Sequence, residues 1–354
     1  MYRRVLKPLL FQLKPETAHE LAVFAGRIAG HSALARAFVR TLYGRSATSE
    51  RTVDGVRYTS PVLLAAGFDY NGTLTRILPQ IGFGGVEIGS VTARPCSGNA
   101  GRQLWRLPSS QAIIVNKGLK NDGVDAVIER LKHTPREPHF TIGVSIAKTN
   151  DEHSVDTEAA IADYCHSFRR LTEEDIGDYY TINISCPNFA GADAFTDPAL
   201  CNQLLAHLDE IPCTKPVYIK MPISVSADQF DQLMNVAAAH RVNGLIIGNL
   251  NKHYDEIQNE HDRPSEYIGG ISGAPCAHRA NSYLKHAHER YGNRFTLIGC
   301  GGIFEEADAQ AKFDAGADLV QLVTGMIYEG PALIGNINRV ATPGTAEQTK
   351  EAAR

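Results

Sequence analysis

The stretch Thr181-Ile182-Asn183-Ile184-Ser185-Cys186-Pro187-Asn188 carries residue types suited to chemistry. Cys186 brings a thiol to this stretch. Asn183 and Asn188 offer donors and acceptors in pairs, the equipment for holding a flat, amide-rich ring. Tyr179, Thr181 and Ile184 favour a buried, pleated strand. Pro187 has no N–H to donate, so the strand ends there and the chain turns outward. Cys186 is therefore expected at the carboxyl end of a strand, where α/β barrels keep their chemistry. Taken alone, the same residues also read as a core thiol beside two turn-forming asparagines.

Other strand ends carry related signals. Lys220 lies inside the apolar run Val217-Tyr-Ile-Lys-Met. A buried lysine is expensive unless paired, and an anionic reduced flavin is one partner that would compensate it. Gly301 and Gly302 follow one strand-like run, and Thr324 and Gly325 follow the next. Backbone N–H groups at such ends, backed by a helix start, suit a phosphate. Gly273, in Gly269-Gly-Ile-Ser-Gly, allows another close backbone approach. Ala65-Ala66-Gly67 closes the first run with small residues that let a flat ring lie against backbone. Asn249 adds a third amide.

These residues need a scaffold that gathers strand ends. Strand-like runs fall at 62–66, 85–89, 140–146, 179–184, 217–221, 244–248, 296–299 and 318–323. Helical patterns separate most of them, among them 155–171, 226–240, 275–291 and 305–315. Near-continuous apolar strands with helical crossovers predict an α/β fold, a (β/α)8 TIM barrel. Thr52–Tyr58 reads as a hairpin turning at Asp54-Gly55. The inserts 91–115 and 249–274 lie where loops should cover the active face. Three segments are expected: an extension over 1–45, the barrel over 46–342, and a tail over 343–354.

The extension is strongly basic, with Arg3, Arg4, Lys7, Arg27, Arg36, Arg40 and Arg45, in a chain of net charge −4. Pro15-Glu16-Thr17 opens a helix whose Leu21, Phe24, Ala25 and Ile28 share a stripe until Gly30. A second helix runs through Leu34, Ala35, Phe38, Val39 and Leu42. Two readings fit: an interfacial membrane anchor, or a helical hairpin packed on the barrel.

The 354 residues, 43% of them hydrophobic, suffice for one large domain and an appendage. The charge balance makes no case for nucleic acid. Seven cysteines show no CxxC or metal-type spacing, so no metal site is expected and a reducing compartment is. No apolar run is long enough to span a bilayer. Lys7 and Lys14 interrupt the only candidate signal-peptide core.

The motifs together resemble the dihydroorotate dehydrogenases, and their membrane-associated, quinone-using class 2 in particular. MYRRVLKPLLFQLKPETAHELA is similar to that class's N-terminal extension. AAGFDYNG, EIGSVTARP, RLPSSQAII, NISCPN, YIKM, GGISGAP and CGGI…AGADLVQLVTGMIYEGP follow in the family's order across essentially the whole chain. The resemblance implies a barrel that binds FMN, with a helical pair guarding a quinone tunnel. FMN contacts would fall on Ala66, Gly67, Ser90, Asn183, Lys220, Gly273, Gly301, Gly302, Thr324 and Gly325. The implied reaction oxidises dihydroorotate to orotate in pyrimidine biosynthesis, with Cys186 as base and a membrane quinone as acceptor. Class 2 usually has serine at that position. The implied location is peripheral, on the cytoplasmic face of the cell inner membrane; no oligomeric state is implied.

Departures gather at one end of the implied ligand. Tyr70 stands where the family has a lysine, and Val115 where it has an asparagine, with Asn116 one position late. Those family residues hold the substrate carboxylate, whereas Asn183, Asn188 and Asn249 hold the pyrimidine ring. Tyr70 and Asn116 are kept as substrate-binding candidates. Leu119 replaces a phenylalanine, Phe189 a threonine, and Ser145 an asparagine near the flavin; Gly248 and Leu250 flank Asn249 where threonines are usual. A flavin oxidoreductase acting on a dihydropyrimidine without a carboxylate, as dihydropyrimidine dehydrogenases do, is an alternative, though the chain lacks iron–sulfur cysteine clusters. A tRNA dihydrouridine synthase would demand a basic face and an RNA-binding domain, and neither is visible. A flavin-binding scaffold or sensor without the activity is a further alternative.

Overall fold

A computed structural model describes residues 2–44, 50–185, 194–264 and 268–341. Helices α1 (Lys7–Gln12), α2 (Pro15–His31) and α3 (Ala33–Tyr43) lead to a hairpin of β1 (Arg51–Val53) and β2 (Val56–Tyr58). The chain then enters a barrel through β3 (Val62–Leu64), α4 (Leu78–Ile81) and β4 (Gly85–Val91). β5 (Leu104–Leu107) and β6 (Ala112–Val115) leave it, and α5 (Val124–His133) leads back. β7 (Thr141–Ile146), α6 (Thr157–Glu173), β8 (Tyr179–Asn183), α7 (Pro198–Asp209), β9 (Val217–Met221), α8 (Ala227–Ala238) and β10 (Gly244–Ile247) continue the alternation. After β11 (Gly270–Gly273) come α9 (Ala277–Tyr291), β12 (Thr296–Cys300), α10 (Glu306–Asp314), β13 (Leu319–Leu322), α11 (Thr324–Glu329) and α12 (Ala332–Val340).

The runs expected as barrel strands are the barrel strands: β10-β12-β13-β3-β4-β7-β8-β9 close on themselves. The hairpin at Asp54-Gly55 forms too. What periodicity missed is a three-stranded antiparallel sheet, β11-β6-β5, built from the two long inserts. Its strands are four residues each, and β6 pairs with β11 across more than 150 residues of sequence, Ile114 opposite Ile271. No local pattern announces such a pairing.

Alternation along the strands sorts the barrel interior into layers. Leu63, Tyr179, Tyr218, Ile246, Ile298 and Leu319 pack into an apolar floor, stoppered from below by Val53 and Tyr58 of the hairpin. Above it lie the polar groups Glu87, Ser145, Thr181, Lys220 and Gln321, all buried. Outward-facing Val86, Ile88, Tyr180, Ile182 and Ile219 join the helices in the main core.

The extension packs on the barrel as a helical hairpin and leaves apolar residues exposed on its other side. Ser32 caps α3 by accepting the Ala35 N–H (3.3 Å), which fixes the bend from α2. On the inner side, Glu16 Oε1 accepts the N–H groups of Gln103 (2.9 Å) and Leu104 (2.8 Å). Arg40 Nε donates to Gln80 Oε1 (2.7 Å), and Gly26 lies tight on Leu74. On the outer side Leu21, Phe24, Ile28, Leu34, Phe38 and Leu42 are exposed. No helix among the described residues is long and apolar enough to cross a membrane.

Gly143 on β7 faces the floor, and a Cβ there would overlap the Tyr179 ring. Gly143→Ala should lower unfolding stability by about 1–3 kcal/mol through overpacking, measured by denaturant or thermal unfolding. An unchanged midpoint would show that the ring has room to move.

Candidate functional site

The carboxyl ends of the barrel strands open into one cavity of about 410 Å³ that continues outward beneath α1 and α2. Every residue expected at the flavin lies on its wall: Ala66 and Gly67 beyond β3, Ser90 on β4, Asn183 on β8, Lys220 on β9, Gly273 on β11, Gly301 and Gly302 beyond β12, and Thr324 and Gly325 beyond β13. Tyr70 and Asn249 line it as well. Asn116 does not; its amide oxygen accepts from Asn99 Nδ2 (2.7 Å) instead. Cys186 and Asn188 lie outside the described residues, as does Phe189.

Lys220 is 5% exposed, and its ammonium donates to Glu87 Oε1 at 3.2 Å. Glu87 has no exposed surface, and its other oxygen accepts from Thr181 Oγ1 (2.9 Å) and Gln321 Nε2 (3.0 Å). The compensating charge expected of a ligand is thus supplied in part from within the barrel. A glutamate in the middle of the run Gly85-Val-Glu-Ile was the overlooked signal, since such a residue must be paired.

A chain of hydrogen bonds orients the amides. Ser145 Oγ and Ser90 Oγ are 2.8 Å apart, and Asn183 Nδ2 donates to Ser90 Oγ at 2.8 Å. Asn183 Oδ1 accepts from Asn249 Nδ2 (3.1 Å) and from the Ser185 N–H (3.4 Å). Asn249 Nδ2 also donates to Ser185 Oγ (2.7 Å), whose own proton goes to the Lys220 carbonyl (2.9 Å). Asn249 Oδ1 takes the Leu250 N–H (2.9 Å). Among the described residues this leaves one N–H on Asn183 and one lone pair on Asn249. A donor beside an acceptor matches the N–H and C=O edge of a cyclic imide.

The opposite side of the cavity is built for close backbone approach. A Cβ on Gly67 (φ 102°) would meet nothing within 4 Å, so the wall there is open to a flat ring. Gly302 (φ 74°) sits where a Cβ would come within 2.9 Å of the Ala277 N–H, at the start of α9. Ser272 Oγ and Thr324 Oγ1 are 2.7 Å apart and tie β11 to the end of β13. Backbone N–H groups after the last two barrel strands are of the kind that suit an anion. A phosphorylated, planar cofactor of the FMN kind fits this division into ring wall and phosphate cradle.

The outer part of the cavity is apolar, lined by residues such as Phe11, Ala18, Gly26, Leu74, Ile77 and Ile81. His19 is a polar group on this wall, with Tyr2 and Arg106 nearer α1, and one that sequence reasoning passed over within the ETAHELA motif. Its Nε2 bonds the Phe68 carbonyl (2.8 Å), so Nε2 carries the proton, while buried Nδ1 has no partner among the described residues. Its ring lies 5.1 Å from that of Tyr70. Burial pushes the imidazole pKa down to about 4, against the pull of the Phe68 carbonyl and with help from the Lys117 charge.

A closed parallel barrel with one large cavity at the carboxyl ends of its strands defines an α/β-barrel protein of the enzyme kind. The family model for dihydroorotate dehydrogenase matches residues 48–341, and the chain belongs to that family, in its class 2. It is similar to a protein of Salinispora arenicola named dihydroorotate dehydrogenase (quinone), 39% identical over 339 residues, covering 94% of this chain and 97% of that one. A protein of the same name from Methylococcus capsulatus is 35% identical over 349 residues, covering 96% and 98%. The crystal structure of DHODH from Eimeria tenella in complex with ferulenol has the same fold, with a TM-score of 0.80 at 24% identity, over 92% of this chain and 90% of that one.

His19 has a folded pKa below its unfolded value, so the unfolded chain binds the extra proton between about pH 6.5 and 4. Stability from this group is full above pH 6.5 and lost as pH falls toward 4, on the order of 3 kcal/mol in all. Urea unfolding across that window should show a steeper decline for the native chain than for His19→Gln, which keeps a donor for Phe68. Parallel declines would place the imidazole in solvent.

Proposed function

We propose that the chain oxidises dihydroorotate to orotate on bound FMN and passes the electrons to a membrane quinone. The observation that carries this is the single cavity: imide-matching amides at the barrel mouth run without a break into an apolar gallery under α2. When bound, FMN would accept hydride from the substrate and later release two electrons. Gly301, Gly302, Thr324, Gly325 and Gly273 would hold its phosphate and ribityl chain. Ala66, Gly67, Ser90, Asn183 and Lys220 would hold its ring system. Lys220, held by its bond to Glu87, would stand at the ring end of the site.

Asn183 and Asn249, pinned by Ser90 and Ser185, would orient the substrate ring, joined by Asn188. Cys186, on the segment after β8, would take the ring-carbon proton; burial of the substrate beneath the β5-β6-β11 sheet excludes competing water. The division into extension, barrel and tail follows the same logic. The extension docks on the barrel by one face, which supports quinone access, and offers its other face to a bilayer. That supports a peripheral location, and the cytoplasmic side is proposed on the family resemblance alone.

A second reading is a dihydropyrimidine substrate lacking the carboxylate. It is favoured by Tyr70 and Val115, which line the cavity where a lysine and an asparagine were expected. Anaerobic addition of dihydroorotate to the purified yellow protein should bleach its flavin absorbance, and a short-chain quinone should restore it. Dihydrouracil in place of dihydroorotate discriminates the two readings. Bleaching by neither would leave a flavin-binding scaffold.

Leu34 is 85% exposed and Phe38 65%. Burying each in lipid is worth roughly 1.5–3 kcal/mol. Leu34→Asp with Phe38→Asp should therefore cut co-sedimentation with anionic vesicles more than about tenfold, while dihydroorotate still bleaches the flavin. Unaltered sedimentation would remove the bilayer from this face.

A further inference from the structure

Lys117 is 7% exposed and lines the same cavity. Among the described residues its ammonium has no carboxylate or carbonyl within bonding distance; what it meets is the face of Tyr70, 5.5 Å from the ring centroid. The neighbouring acids are engaged elsewhere. Glu16 accepts two backbone N–H groups of the β5 edge, and Glu20 pairs with Lys120 at 3.4 Å. The position is enforced locally: Gly118 (φ 64°) and Leu119 (φ 59°) are both left-handed, so the chain folds back directly after Lys117. A left-handed leucine is uncommon and is held only where surroundings demand it.

A buried ammonium facing a ligand cavity without a counter-ion is unstable unless a ligand brings the charge. We propose that Lys117 is the carboxylate-binding cation of this pocket, reaching over the Tyr70 ring to hold the acid group of a pyrimidine carboxylate. The inference rests on the function proposed above and fixes its substrate class as the acid rather than the neutral ring. Tyr70 then has a part to play. Burial pushes its phenol pKa up, so it stays neutral, and its π face steadies the ammonium above it. Burial, then the charge of Lys120, pulls the Lys117 pKa down; a carboxylate in the pocket opposes both.

Flavin difference spectra on the holoprotein, titrated separately with orotate and with uracil, test this. Lys117→Gln should weaken orotate about ten- to hundredfold, the loss of one charge-assisted bond, and leave uracil within about twofold. Lys117→Arg should retain most orotate affinity. Tyr70→Lys combined with Lys117→Gln should regain it by moving the cation to the neighbouring position. Orotate affinity unchanged in Lys117→Gln overturns the inference, and so does an equal loss of orotate and uracil. If the native protein bleaches with dihydroorotate yet Lys117→Gln binds orotate normally, only this inference falls. If the native protein neither bleaches nor binds orotate, the proposed function falls and takes the inference with it.

Discussion

Glu87 is a carboxylate at the centre of a barrel, shut off from water, and the strands around it are arranged to meet its charge. Lys220 from β9, Thr181 from β8 and Gln321 from β13 converge on its two oxygens. Removing one partner from such a pair typically costs about 3–5 kcal/mol, because the other charge is left stranded. The cluster also holds register. Asn183 stands opposite Lys220 and Ile182 opposite Ile219 in the β8–β9 ladder. A slip by one residue would send Lys220 into the helical layer and Ile219 into the site. Because Asn183 shares the register of Lys220, the charge that pins the strand also aims the amide. The polar layer therefore separates a floor that only needs packing from a mouth that only needs chemistry.

The barrel was legible because its strands are buried on both faces and read as apolar runs between helical patterns. The glycines at the strand ends were legible as points of close approach: a Cβ on Gly302 would strike Ala277, and one on Gly325 the Ile303 carbonyl. Glu87 was not, since its role depends on three side chains that lie 94 to 234 positions away in sequence. The sheet over the mouth escaped for the same reason. Asn116 was attractive by type, but the turn at Gly118 and Leu119 gives its side chain to Asn99 and places Lys117 on the wall. Residue type identified the chemistry available; backbone geometry decided which of two neighbours delivers it.

Helix α2 shows how one amphipathic element can serve a cavity and an exposed face together. Ala18, Ala22 and Gly26, four residues apart, face the gallery, and their small size is what leaves it open. Leu21, Phe24 and Ile28 occupy the opposite stripe and are exposed. Of the two alternatives that composition left open, the packed hairpin is the inner face of this helix, and the anchor is proposed for the outer one. His19 lies on the inner stripe one residue after Ala18, so a change in how α2 sits on the barrel moves the gallery's polar group with it.

The departures from the family pattern come in linked sets. Ser145, where an asparagine was expected, bonds Ser90, which in turn holds Asn183. The amide is thereby positioned through a hydroxyl relay in place of a second amide. Tyr70 replaces a cation with a neutral ring, which alone would strip the wall of a positive charge in a site that handles an acid. On the inference drawn above, Lys117 of the next loop, lying over that ring, supplies the charge instead. A tyrosine is large enough to fill the space of a lysine chain and flat enough to support an ammonium laid over it. On that inference the pocket draws its cation from a different loop, because electrostatic recognition constrains where a charge lies and not which position in the chain carries it.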